Sequence, residues 1–311
     1  MNSRLRRLKS WSLLCVVLLC LQVFCAAQMA CAGDLQGFNG GRAFGDLKRL
    51  AAFGPRPSGS KALGESRAWI MGRLREAGVQ VEEDPFTAST PLGSVPMTNL
   101  FVRIPGARRK VVMLAGHYET KRFDDFSFVG ANDGGSSAAF LLEMARVLAQ
   151  RKNALTYWLV FFDGEEAFRE FTSTDGLYGS RHLVGKLTAS GELARIEAMI
   201  LVDMIGDARL NIHRDYNSTP WLSDLVFAVA GRLGYGKHFR NDPGAYEDDH
   251  IPFVQAGVSA VDLIDFDYGP ANSYWHTAED TPAKCSPLSL TIVGRVVMAT
   301  LEELENSPRL R

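Results

Sequence analysis

Leu155-Thr156-Tyr157-Trp158-Leu159-Val160-Phe161-Phe162-Asp163-Gly164-Glu165-Glu166 runs eight residues without a charge and then stops on three carboxylates within four positions. The first eight residues are β-branched, aromatic and aliphatic, the composition of a strand buried on both faces of a parallel sheet. Ligands in such sheets bind beyond the carboxyl ends of the strands. Two adjacent glutamates in that crevice repel each other unless a cation or a shared proton compensates them. The strand thus predicts an α/β fold, and its end predicts a reactive site.

The same alternation continues on both sides. Helical patterns are predicted over Arg42–Phe53, Lys61–Ala77, Ala138–Ala149, Tyr178–Lys186, Trp221–Leu233 and Leu288–Leu304. Strands are predicted over Val79–Phe86, Thr98–Ile104, Lys110–Ala115, Ala198–Ile205 and Val258–Phe266. Gly54–Ser60 is a breaker cluster, and Gly130–Ser137 a turn of small residues. The fold class that follows is α/β, a single domain with a mixed, mostly parallel central sheet flanked by helices on both faces. No repeat or long linker suggests a second domain.

The basic start Met1–Lys9, the apolar stretch from Trp11 to about Ala27 and the small-x-small pattern Ala30-Cys31-Ala32 read as a signal peptide over residues 1–32. The expected mature chain, 33–311, is one catalytic domain of 279 residues, exported to the periplasm or secreted. It touches a membrane only if the leader stays uncleaved. Four of the five cysteines fall in the leader, which leaves Cys285 and no intramolecular disulfide. A chain of that length can bury one large core without covalent staples. A net charge of −1 with 22% charged residues gives no reason to expect nucleic acid or an anionic membrane as partner.

Side chains able to bind a metal recur where the predicted strands end: His117, Asp133, Glu165, Glu166, Asp203 and finally His276. Catalytic zinc takes three nitrogen or oxygen ligands and keeps one position open. A buried carboxylate against an apolar sheet is costly unless paired, and a divalent cation supplies the pairing.

Phe162-Asp163-Gly164-Glu165-Glu166-Ala167-Phe168, Leu177–Leu183, Asp248-Asp249-His250-Ile251-Pro252-Phe253 and Trp275-His276-Thr277 together resemble the glutaminyl-peptide cyclotransferases of the animal type. That family shares its fold with zinc aminopeptidases, and the resemblance runs from Pro55 to the final helix. It implies that Asp133, Glu166 and His276 hold one zinc and that Glu165 is the general acid/base. Asp203 and Asp248 would form an acidic hydrogen-bond network beside it, and Trp275 a wall of the substrate pocket. The implied substrates are peptide or protein N-termini, whose glutamine is cyclised to pyroglutamate with release of ammonia. A non-proline cis peptide after Asp133 is implied as well.

Several positions depart from the family. His117-Tyr118-Glu119-Thr120 stands for the usual His-Tyr-Asp-Ser, Phe171 for a tryptophan and Asp262 for a histidine. Gly116 removes a cysteine of the animal enzymes, and the loop Asp265–Ser273 is longer. Other expectations are minor: His182 structural, Arg181 paired with a carboxylate, His213 and His238 exposed, and His250 either in the acid network or at a helix start.

Two rival readings remain. A zinc aminopeptidase would use the same scaffold with a second zinc on His117 and Asp203 and Glu165 as base for water. A non-catalytic binding module would have lost Glu165 or a ligand, and none is missing.

Overall fold

Every residue of the strand Thr156–Phe162 is buried, as its composition predicts. The structure, a computed structural model, describes residues 37–310, so the leader expected over 1–32 lies outside the described residues. In chain order the elements are α1 (Gly40–Ala51), α2 (Lys61–Glu76), β1 (Val81–Thr90), β2 (Gly93–Ile104), β3 (Val111–His117), α3 (Gly135–Ala149), β4 (Thr156–Phe162) and α4 (Tyr178–Ser190). Then follow β5 (Ile196–Asp203), β6 (Ile212–Asp215), α5 (Pro220–Arg232), β7 (Phe239–Gly244), α6 (His250–Gln255), β8 (Ala260–Ile264) and α7 (Pro287–Asn306). No helix of the described residues is long and apolar enough to cross a membrane.

Six strands form one sheet in the order β1-β2-β4-β3-β5-β8. β4, β3, β5 and β8 run parallel, while β2 joins β4, and β1 joins β2, antiparallel. Side chains alternate across a strand, so Met113, Trp158, Val160, Phe162 and Leu201 share one face. There they pack on Leu183 and Leu187 of α4 and Phe253 of α6. The helices α1, α3 and α7 pack on one another, with α3 against β3 and β4. Cys285 is buried and free.

The sequence reading shortened the β1–β2 hairpin, missed β6 and β7, and gave α6 only as a possible helix start at His250. Residues Thr87–Pro96 of the hairpin carry Ser, Thr and Pro on an exposed edge, where no apolar alternation is needed. The β6–β7 pair is a short parallel ladder rich in charge, with the sequences Ile-His-Arg-Asp and Phe-Arg-Asn-Asp-Pro-Gly.

The breaker cluster hides a buried cation. Arg56 is fully buried and donates to the carbonyls of Tyr118, Val129 and Gly130 at 3.0, 2.5 and 2.9 Å, so it clamps both ends of the irregular loop that follows β3. Burial lowers its pKa to about 10, which leaves it charged at neutral pH. Arg56→Met should cost about 3 kcal/mol or more in urea unfolding, because three buried carbonyls lose a charged donor. A loss under about 1 kcal/mol would mean that water replaces the guanidinium there.

Candidate active site and metal centre

β3 ends at His117 beside Phe162, the last residue of β4, and β5 ends at Asp203 beside Ile264 of β8. Tyr118 N–H donates to the Phe162 carbonyl at 3.1 Å and carries the pairing one step past the strand. β4 lies on one side of β3 and β5 on the other, so the winding reverses about β3, which is where α/β sheets open a crevice. A cavity of about 500 Å³ sits there, lined by Asp133, Glu165, Glu166, Asp203, Asp248, Trp275 and His276. All seven side chains to which the sequence assigns a site role are therefore brought together.

Asp133, Glu166 and His276 offer ligand atoms within 4.8 Å of one another. His276 Nε2 lies 3.0 Å from Glu166 Oε1 and 3.3 Å from Asp133 Oδ2. A tetrahedral ion with bonds of about 2.0–2.2 Å sets its ligands about 3.3 Å apart, so these spacings fit a zinc-sized ion. Asp133 Oδ2 is buried and makes no well-formed hydrogen bond, as a ligand atom waiting for a cation would. Two carboxylates against one neutral imidazole leave two negative charges for a divalent ion to balance. Burial opposes charge on the His276 imidazole, but Glu166 and Asp133 raise its pKa to about 9. Burial would raise the Asp133 carboxyl, yet His117 and His276 hold it well below the usual range.

The backbone around these ligands is over-determined. Asp280 reaches back from four residues past His276 and accepts from Asn132 N at 2.8 Å, Asp133 N at 3.1 Å and Tyr268 Oη at 2.7 Å. Glu119 Oε1 accepts from Glu165 N at 2.6 Å and Glu166 N at 3.1 Å. The Glu119 carboxylate thus fixes the main chain of the acidic pair. His276 itself sits at φ +52, a left-handed conformation rare outside glycine and typical of positions held for function. Its ring stacks on Trp275 at 4.0 Å and meets the edges of Phe123 and Phe128 at 5.7 and 5.8 Å.

Glu165 is buried next to Glu166. Its burial first, and then the Glu166 charge, push its carboxyl well above the usual range. Burial raises Asp248 strongly and Asp203 more moderately. The hydrogen bonds at these two aspartates differ from the expected network. Asp203 Oδ1 accepts from His117 Nε2 at 3.1 Å and from Met204 N at 2.8 Å, while Asp248 Oδ1 accepts from Asp249 N at 2.5 Å. Both share the cavity with Glu165, and Asp248 acts on it through charge. His117 Nε2 lies 3.2 Å from Asp133 Oδ1 as well, so His117, Asp133 and Asp203 form a second group able to hold an ion.

Of the other expectations, the cis peptide, the Arg181 pairing and the exposed histidines are corrected, while those for His182 and His250 hold. The described residues contain no cis peptide; after Asp133 the chain turns through Gly134 at φ +76, where an added Cβ would lie 2.2 Å from the Glu119 carbonyl. Arg181 donates to the Thr172 carbonyl instead of a carboxylate. His213 and His238 are partly buried, bonded to Asp267 and to the Leu210 carbonyl. His182 is structural, stacked on Phe86 at 4.2 Å and paired with Asp84. His250 is fully buried between Asp215 at 3.0 Å and Asp262 at 4.0 Å, within the acid cluster.

The sequence reading missed Lys121, Tyr246, Phe266 and Asp280. Lys121 lies 3.4 Å from Glu166 Oε2 and donates to the Ala167 carbonyl at 2.9 Å. Phe266 stands 4.8 Å from the Trp275 ring and lines the cavity. Asp280 had a legible signal in its place four residues after a candidate ligand histidine. Phe266 closes the predicted strand Val258–Phe266 but lies two residues past the observed one, and Lys121 and Tyr246 lie in irregular segments without a pattern.

Residues 99–301 match the family described as Peptidase family M28. The glutaminyl-peptide cyclotransferase-like protein of Bos taurus is 32% identical over 278 residues, covering 80% of this chain and 72% of the relative. Among solved structures, the glutaminyl cyclase of an Acidobacteriales bacterium is 43% identical with a TM-score of 0.84, covering 86% of this chain and 95% of that one. A leucine aminopeptidase precursor from Bacteroides thetaiotaomicron is 24% identical with a TM-score of 0.77, over 85% of this chain and 97% of that one, and shares the fold.

Proposed function

This chain belongs to peptidase family M28 and, within it, to the glutaminyl-peptide cyclotransferases, and on that footing we propose that it cyclises N-terminal glutamine of peptides to pyroglutamate with release of ammonia. The observation that carries the reading is a buried glutamate, Glu165, facing the same cavity as the group Asp133, Glu166 and His276. Those three residues would hold one zinc ion, which would supply Lewis-acid polarisation of the substrate's side-chain amide.

The remaining chemistry belongs to the chain. The glutamine side chain enters against the wall formed by Trp275 and Phe266, which exclude water and so leave the substrate's own α-amine as nucleophile. The α-nitrogen bonds to the side-chain amide carbon, Glu165 takes the proton that the amine sheds, and the C–N bond to the side-chain nitrogen breaks. Glu165 then returns the proton to that nitrogen, which leaves as ammonia. The role needs a carboxylate of raised proton affinity. Burial and the charges of Glu166 and Asp248 favour that at Glu165. Asp248 is an electrostatic partner, Asp203 lines the same cavity, and Lys121 steadies the second oxygen of Glu166. Residues 1–32 serve as an export signal and the mature domain works outside the cytoplasm.

A second reading keeps one specific observation, the His117, Asp133 and Asp203 group, which could hold a second ion and activate water for aminopeptidase chemistry. Incubation of the chain without residues 1–32 with a glutamine-starting dipeptide, followed by mass spectrometry and metal analysis, separates the two. Loss of one ammonia with the peptide bond intact and about one zinc per chain is expected. Free amino acids with about two zincs per chain would make it a peptidase.

A further inference from the structure

Across the loop Asp265–Ser273 from the catalytic cavity lies a second concavity, of about 580 Å³, whose lining includes Arg209, Lys237, His238, Arg240, Asp267 and Asn272. Arg209, Lys237 and Arg240 are exposed cations in a chain whose net charge is −1, so their gathering is local. Arg240 is paired with Asp242 at 3.1 Å, while neither Arg209 nor Lys237 makes an ion pair among the described residues. The one carboxylate of the lining, Asp267, is already engaged by His213 Nε2 at 2.8 Å and by Asn211. Asp267 stays exposed, so the lining sets three cations against one carboxylate and keeps a net positive charge.

The loop between the two concavities is a held partition. Phe266 faces the catalytic cavity and its neighbour Asp267 the basic cleft; Ala271 and Asn272 line the cleft, and Trp275 and His276 the cavity. Ala271 and Asn272 take φ +53 and +59, a strained pair that Tyr268 N–H bonding to Asn272 Oδ1 helps to hold. β7 measures the separation. It carries Arg240 in the cleft and leads directly to Ala245 in the catalytic cavity, five residues away; a bulge sets Arg240 and Pro243 opposite the consecutive residues His213 and Arg214, so the span is less than the about 16 Å of fully extended chain. A substrate peptide in extended form crosses that span within about five residues, so its fifth residue and those beyond can reach the cleft.

We propose that this cleft is a specificity subsite that binds acidic side chains about five to seven residues downstream of the substrate's N-terminal glutamine. The inference rests on the cyclase reading. The chemistry it recognises is the carboxylate, which Arg209 and Arg240 can meet with forked donors and Lys237 with a point charge.

The test uses two heptapeptides that begin with glutamine and carry either glutamate or alanine at positions five to seven. In the unaltered enzyme the acidic peptide should show a KM about fivefold lower at low salt, the yield of two or three exposed ion pairs, with kcat unchanged. The advantage should vanish at ~0.5 M salt and in the double variant Arg209→Glu, Lys237→Glu, which should turn over the neutral peptide as before. Equal KM values in the unaltered enzyme would overturn the subsite, as would an acidic preference that survives the double variant. Inorganic phosphate should erase the acidic advantage; phosphate that binds the cleft while the two peptides are treated alike makes it a free-anion site and overturns the proposal. Cyclisation of neither peptide removes the cyclase reading instead. Direct binding of both peptides to Glu165→Gln protein still reports whether the cleft prefers the acidic one.

Discussion

Glu165→Gln should keep its metal and lose turnover by ~100-fold or more, the lower end for removal of a general acid/base. The amide matches the carboxylate in size, and its backbone stays fixed because Glu119 accepts the N–H groups of residues 165 and 166. What disappears is the capacity to carry a proton from the α-amine to the departing nitrogen. Removing a charge beside Glu166 also relieves a repulsion, so the ligand group should bind its ion at least as well. Ammonia release and zinc content measured on one preparation check both halves. Turnover within a few-fold of the unaltered enzyme would remove Glu165 from the chemistry.

His276→Ala should lose the metal outright and fall to background turnover. The histidine is the one neutral donor of its group, and without it Asp133 and Glu166 face each other as two carboxylates with no nitrogen ligand. Zinc below about a tenth per chain after dialysis is expected, with a circular-dichroism spectrum unchanged, since strand pairing does not depend on this side chain. Stoichiometric zinc in the variant would show the ligand set to be wrong and would turn attention to His117, Asp133 and Asp203.

The sheet was legible because its inner strands are buried on both faces, so β3, β4 and β5 announce themselves as apolar runs. β1 was harder, since Glu82, Glu83 and Pro85 sit on an edge where only one face is packed. β6 and β7 are too short and too charged to carry a period. The chemical residues at strand ends stood out against that apolar background. Lys121, Tyr246 and Phe266 did not, because a loop residue reaches the cavity through tertiary placement that no local pattern encodes. The conformation at Gly134 was misjudged for a related reason. Small residues signal an unusual turn, but only the neighbouring carbonyl of Glu119 shows which one.

The reach of Asp280 back to the amides of Asn132 and Asp133 spans 148 residues of sequence and joins the two ends of the ligand set through protein alone. An ion arriving at this centre finds donors already oriented, so it has little disorder to quench. Chelation should accordingly strip the ion without melting the domain, and the emptied protein should accept a different divalent ion within a mixing time. The centre would then behave as an exchangeable socket, and its occupant would follow the metal supply of the compartment in which the protein works.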